Sequence, residues 1–161
     1  MGKKIIHIID WDDDDSVFDF LLLGLQSTLA KDYSLVFAVN THCKSTFTRA
    51  KDQKITADGV NYTFSVFRFH DQKTKQTVEL ISNYSHPKII KTNDLDLFGE
   101  AEQVKILIPE FRMFNFFIKS AFPLDQNFCV TLRKLSIIKQ SQEIDNKKIS
   151  KNNLENLILP K

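Results

Sequence analysis

The sequence has 161 residues, of which 42% are hydrophobic and 26% are charged. This length and composition suffice for one domain with its own core, and they exclude a largely disordered chain. The 22 lysines and arginines nearly balance the 20 aspartates and glutamates, so the net charge of +2 argues against a protein that coats duplex nucleic acid through charge alone.

The N-terminal third is predicted to contain a helix between two strands. Residues 3–10 favour a short strand, and Asp15 or Ser16 is a suitable N-cap for a helix over residues 16–31. The apolar residues of this helix cover more than one stripe, so we expect it to be packed on two sides or to meet a partner. Residues 33–43, which are rich in β-branched and aromatic side chains, predict the first long strand.

The middle of the chain predicts a β-hairpin. Residues 44–58 indicate a loop or an edge strand that runs into a turn at Asp58 and Gly59. Two alternating runs, residues 60–69 and 76–81, then flank a polar connection without apolar residues. The first run becomes apolar on both faces near the connection, which suits a curled sheet that closes into a small barrel.

The last part of the chain predicts two more strands and a terminal helix. Residues 88–103 form a connector with a short helix at 94–100, and residues 104–108 and 128–139 indicate strands. Residues 111–122 fit a helix and a strand equally well, and residues 141–151 are expected to be loose. Residues 151–159 predict a helix with Leu154, Leu157 and Ile158 on one face. We therefore expect a mainly β protein with a single domain: a five-stranded barrel over about 33–140, an N-terminal extension and helix over 1–32, and a C-terminal tail and helix over 141–161.

The candidate chemistry is sparse. Asp10, Asp12, Asp13, Asp14 and Asp15 could hold a divalent cation for a metal-dependent nuclease, although contiguous aspartates are more typical of a solvated helix cap. His7, His42, His70, His86, Cys43 and Cys129 have neither the spacing of a zinc site nor a Cys–His nucleophile signature. The isolated glycines exclude a phosphate-binding loop. We therefore predict no catalytic residue, no metal and no cofactor.

The composition also predicts where the protein resides. Two cysteines without a secretory leader favour reduced thiols in an intracellular protein, although one disulfide is compatible with the sequence. The longest apolar run, residues 20–25, is far shorter than a membrane span, so we expect a soluble protein.

Two sets of residues are candidates for binding. Arg49, Lys51, Tyr62 and Arg68 interleave bases with aromatic residues, a pattern that can hold single-stranded nucleic acid, but core rings with a basic rim would look the same. Leu154, Leu157 and Ile158 could dock onto another protein's helix or simply cap the barrel. If the helix docks, Leu157→Asp should weaken partner binding and leave the fold intact.

Five segments together resemble the five-stranded oligonucleotide-binding (OB) barrel. They are YSLVFAVNTHC, NYTFSVFRF with QTVELISN, VKILIPEF, FCVTLRKLSIIK and the terminal NNLENLIL. With a helix at each end, the chain resembles the smallest subunits of replication protein A and of the CST telomere-end complex. The abundance of Lys, Asn, Gln, Ile and Phe is similar to that of AT-rich genomes, which suggests a ciliate, telomerase-associated counterpart.

This resemblance implies a non-enzymatic nuclear subunit at chromosome ends. Such a subunit would bind a larger OB-fold partner through its C-terminal helix, Leu154, Leu157 and Ile158, and would contact single-stranded DNA only weakly or indirectly through Arg49, Lys51, Tyr62 and Arg68. Two segments depart from the pattern: residues 18–29 are more hydrophobic than a barrel plug requires, and residues 111–122 are longer than the usual link. Either could be the partner interface. An inhibitor without any substrate would fit the sequence as well.

Overall fold

The computed structural model describes residues 18–91 and 100–160. The strands in these ranges are β1 (Leu21–Ser27), β2 (Thr48–Arg49), β3 (Gln53–Ala57), β4 (Val60–Phe64), β5 (Val66–Asp71), β6 (Gln76–Ser82), β7 (Lys88–Lys91), β8 (Glu100–Gln103), β9 (Phe116–Ser120) and β10 (Ile138–Ile144). The α-helices are α1 (Asp32–Cys43), α2 (Gln126–Lys134) and α3 (Lys151–Glu155). The predicted strand at 3–10 and the aspartate cluster lie outside the described residues, as does the predicted helix at 94–100 except for Glu100, which begins β8.

Six strands form one antiparallel sheet in the order β10-β1-β9-β6-β5-β2. Two smaller antiparallel sheets consist of β3 with β4 and of β7 with β8. The prediction of a mainly β protein is confirmed. The main sheet has six strands rather than five, and it extends from residue 21 to residue 144, beyond both ends of the predicted barrel.

The predicted hairpin is confirmed as β5 and β6, which pair from Val66 opposite Ile81 to Asp71 opposite Gln76. Its turn is stabilised by Asp71, whose carboxylate accepts hydrogen bonds from the Lys73 backbone N–H (2.9 Å) and the Thr74 hydroxyl (2.8 Å). The first run is broken at Ser65, so β4 pairs instead with β3 across a tight turn. Asp58 (φ 52°) and Gly59 (φ 76°) occupy the left-handed region there, as a two-residue hairpin turn requires.

The main sheet has a cluster of buried side chains on each face. The helical face is covered by α1 and α2, which pack Leu35, Val39 and Leu132 against it. We call the other side the C-terminal face, because it is covered by the β3–β4 hairpin, the loop before β9 and the C-terminal segment that contains Leu154 and Leu157. Each face therefore encloses its own core.

The predicted helix at 16–31 is wrong, because residues 21–27 form β1. This strand pairs with β10 on one side and β9 on the other, and its leucines face both cores. A strand that is buried on both faces gives a continuous apolar run without alternation, and such a run resembles a buried helix.

Two predicted strands are helices. Residues 33–43 lie in α1, whose apolar side chains surround the helix and therefore show no helical period. Most of the predicted strand at 128–139 lies in α2, whose first turn is capped by the Asp125 carboxylate, which accepts a hydrogen bond from the Phe128 N–H (3.2 Å). The sheet strand β10 begins only at Ile138.

The remaining segments are partly as predicted. Residues 104–108 contribute only a bridge between Ile106 and Tyr84. The ambiguous stretch at 111–122 contains the strand β9, and the stretch at 141–151, which was expected to be loose, contributes to β10. The edge strands β2 and β3 lie within 44–58, and the terminal helix is confirmed in a shorter form as α3.

Candidate functional site

The four candidate nucleic-acid residues do not form one surface. Arg49 lies opposite Phe67 on the helical face, and its guanidinium group lies 5.2 Å from that ring centroid. Tyr62 belongs to the core of the C-terminal face, and its hydroxyl donates to Gln103 Oε1 (2.7 Å). The Tyr62 ring is therefore unable to stack on a base in this arrangement.

Both arginines of that set are already paired. Arg49 Nη1 lies 3.1 Å from Asp32 Oδ2, and its Nη2 lies 2.6 Å from Asp52 Oδ1. Arg68 donates through Nε to Glu79 Oε1 and through Nη2 to the Pro160 carbonyl, both at 2.6 Å. Of the three basic residues in this set, only Lys51 is exposed and has no ion-pair partner among the described residues.

The C-terminal segment covers the chain's own core. Leu154 and Leu157 are buried in the cluster on the C-terminal face, and Ile158 is exposed. Three side chains donate hydrogen bonds to carbonyls of this segment: Gln53 to Asn156 (2.7 Å), Lys119 to Leu157 (2.9 Å) and Arg68 to Pro160. Two of the three candidate docking side chains are thus inaccessible, which favours the capping interpretation.

The outer side of α1 presents two aromatic rings. Leu35, Val36 and Val39 face the sheet, whereas Tyr33 and Phe37 lie one turn apart and are 60% and 74% exposed. We call Tyr33 and Phe37 the aromatic stripe. A phenyl ring exposed to this extent in the middle of an ordered helix lacks a packing partner within the described chain.

Two lysines and one aspartate lie at the ends of α1, before and after this stripe along the chain. Lys31 Nζ lies 5.8 Å from the Tyr33 ring centroid, and Lys44, which ends α1 in a left-handed conformation (φ 54°), is exposed. Asp32 accepts from the Tyr33 backbone N–H (2.6 Å) and from Arg49. Burial alone would raise the pKa of Asp32, but hydrogen bonds from the Ser65 side chain and the Tyr33 backbone, together with the charges of Arg49 and His86, outweigh burial and lower it.

Two clefts flank α2. The first, of about 340 Å³, lies where the end of α1 meets the start of α2, and its lining includes Cys43 and Lys44. The second, of about 310 Å³, lies between α2 and β1 and includes Cys129 and Arg133. Burial raises the pKa of the Cys43 thiol to about 11 and also raises that of Cys129, so both free thiols are poor nucleophiles.

The described residues do not assemble a metal or acyl-transfer site. In residues 18–91 and 100–160, no group of three or more His, Cys, Asp and Glu side chains is placed to hold a metal ion. Ser65 Oγ lies 3.0 Å from His86 Nε2, which is the spacing of a nucleophile and its base. Ser65 is 2% exposed, however, so its hydroxyl is closed to a substrate, and the hydrogen bonds of the Asp32 carboxylate at 2.6 Å and 3.1 Å come from the Tyr33 backbone and from Arg49.

Comparisons with family models, with curated proteins and with solved structures gave no match. No helix in the described part of the chain is long and apolar enough to cross a membrane.

Proposed function

We propose that this chain is a non-enzymatic subunit that binds a larger protein partner. The observation that supports this function best is the aromatic stripe, and above all Phe37, 74% exposed in the middle of α1. Fully burying a side chain of this size is worth about 1.5–3 kcal/mol, and most of that free energy is still available at Phe37. Rings of this kind are typical anchors of protein interfaces.

The position of the interface differs from the sequence-based expectation. The resemblance implied docking through Leu154, Leu157 and Ile158, but the first two side chains stabilise the chain's own core. We therefore assign docking to α1.

The finer identity stays a prediction. As a subunit of a CST-type or replication protein A-like complex, the chain would bind a larger OB-fold protein at chromosome ends in the nucleus, and it would contact single-stranded DNA weakly or through that partner. An OB-type barrel would also require the main sheet to close. The pairing among the described strands runs in one open order from β10 to β2.

Affinity capture from the cells that produce the protein tests this function. The tagged wild-type chain is compared with Phe37→Asp and with the control Phe122→Asp, whose ring is similarly exposed (64%) but lies in the loop after β9. We expect the wild type and the control to retain the same protein in stoichiometric amount, and Phe37→Asp to lose it while its circular dichroism spectrum stays unchanged. Equal retention by all three chains would contradict docking through α1.

A further inference from the structure

The charges on the two surface helices indicate the chemistry of the partner. The only carboxylate in α1 is that of Asp32, which is paired with Arg49. Helix α2 itself contains no carboxylate, and its N-cap residue Asp125 is paired with Lys73 (3.6 Å). Lys31, Lys44, Arg133 and Lys134 have no ion-pair partner among the described residues. The outer helical layer therefore combines exposed rings with basic side chains that are outside any ion pair, and the cleft that contains Lys44 is also lined by Asp71 and Asp125.

We propose that the aromatic stripe binds an acidic, amphipathic segment of the partner protein. This inference rests on the proposed function, because it specifies the partner of the same surface. Large apolar side chains of that segment would cover Phe37, and its carboxylates would lie against Lys31 and Lys44. Neither lysine would have to leave an existing ion pair, so the partner's carboxylates would gain attraction without breaking an ion pair of the free protein.

The geometry of α1 sets the spacing of that segment. Lys31 precedes the stripe and Lys44 ends the helix, and thirteen residues at 1.5 Å each separate them by about 20 Å. A partner helix of roughly 13 residues spans the same distance, with apolar anchors in its middle and acidic residues at both ends.

Single-stranded nucleic acid is the other ligand that combines rings with cations, and the structure favours it less. Stacking requires accessible ring faces in succession. Lys31 already lies over the Tyr33 ring, which leaves Phe37 as the free ring of the stripe.

Two labelled peptides of matched length test the inference by fluorescence anisotropy with the full chain. Both carry Leu and Phe at helical i, i+3, i+4 and i+7 positions, and they differ only in having Glu or Lys at the flanking positions. We expect the acidic peptide to bind at least tenfold more tightly at low salt, and its affinity to fall as salt is added. Lys31→Glu with Lys44→Glu, and separately Phe37→Ala, should each weaken binding at least tenfold. The control Lys54→Glu, on the exposed side of β3, should leave it unchanged.

The outcomes separate this inference from the proposed function. Equal binding of both peptides with loss on Phe37→Ala would overturn the acidic partner but leave docking through α1 intact. Binding of neither peptide, or binding that Phe37→Ala does not alter, would also overturn the inference, and the capture experiment then decides the function on its own. If a twenty-nucleotide oligothymidylate bound more tightly than the acidic peptide, and if this binding depended on Phe37, the surface would bind nucleic acid instead.

Discussion

Replacing Gly24 with alanine tests how closely the main sheet packs on the C-terminal face. Gly24 lies in β1, between its partners on β9 and β10. An alanine Cβ at this position would lie 2.6 Å from Phe114 Cδ2 and 2.7 Å from Phe114 Cγ, well inside contact distance. Phe114 is fully buried and packs near Phe111 and Phe117, so its ring has little room to move.

Two opposing effects determine the sign of the change in stability. Glycine within a strand costs about 0.5–1 kcal/mol relative to alanine, so a substitution without a clash would stabilise the protein. Adding atoms to a well-packed core costs about 1–3 kcal/mol, and a clash with an enclosed ring belongs in the upper half of that range. We therefore expect Gly24→Ala to lower the free energy of unfolding by about 1–2.5 kcal/mol.

Urea unfolding of four chains measures this effect: the wild type, Gly24→Ala, Phe114→Leu and the double variant. Because leucine lacks the ring that the new Cβ would meet, the double variant should be more stable than additivity predicts, by at least about 1 kcal/mol. If Gly24→Ala were as stable as the wild type, or if the two substitutions were additive, the proposed close contact between β1 and Phe114 would be refuted.

Four further predictions concern the core, a charged row, a thiol and a carboxyl group. Leu157→Ala should lower the free energy of unfolding by about 2–5 kcal/mol, whereas the control Ile158→Ala should change it little; equal effects in chemical denaturation would contradict the burial of Leu157. Glu79 forms ion pairs with Arg68 (2.6 Å) and Lys119 (3.2 Å), and its side chain is only 14% exposed. Glu79→Gln should therefore lower the free energy of unfolding by about 1–3 kcal/mol. Asp52→Asn, at the more exposed pair with Arg49, should lower it less. At pH 9, a thiol with a pKa of about 11 is about 1% ionised. Iodoacetamide should therefore modify Cys43 about 50-fold more slowly in the folded chain than in the urea-unfolded chain. Mass spectrometry measures both rates. The pKa of Asp32 is lower in the folded chain than its ordinary value of 3.8, so the charge of Asp32 contributes stability above pH 3.8 that is lost as the pH falls through the folded-state pKa. The difference in unfolding free energy between the wild type and Asp32→Asn should therefore shrink in acid. A difference that stays constant with pH would contradict the lowered pKa.

Local signals in the sequence predicted the β5–β6 hairpin, the turn at Asp58 and Gly59, and the terminal helix. The Asp58–Gly59 pair supplies the two left-handed residues that a tight turn needs, and the polar stretch at 70–75 separates two alternating runs that pair as β5 and β6. These features depend on neighbours in the sequence. They could therefore be recognised without knowledge of the rest of the fold.

The secondary structure of two segments was predicted wrongly because their apolar residues lie on all sides and so lack the spacing typical of a strand or a helix. The leucines of β1 face two cores, and α1 is apolar on its inner and outer sides, so neither segment shows the alternation of its own secondary structure. The prediction for β10 was wrong for the opposite reason. This edge strand has mostly exposed polar side chains, so its second half was expected to be loose. Strand number and order followed from these segments and could not be predicted without them.

The assignment of α1 also determined which site could be recognised. In a strand, Tyr33, Leu35, Phe37 and Val39 would share one face, and all four would be expected in the core. In a helix, Leu35 and Val39 face the sheet while Tyr33 and Phe37, four residues apart, point away from it. The same four residues thus predict a buried strand or a half-exposed interface helix, depending only on the backbone. The strand prediction therefore hid the rings of α1, and docking was predicted from the amphipathic face of the terminal helix, Leu154, Leu157 and Ile158, whereas the exposed rings that support the proposed binding surface lie in α1.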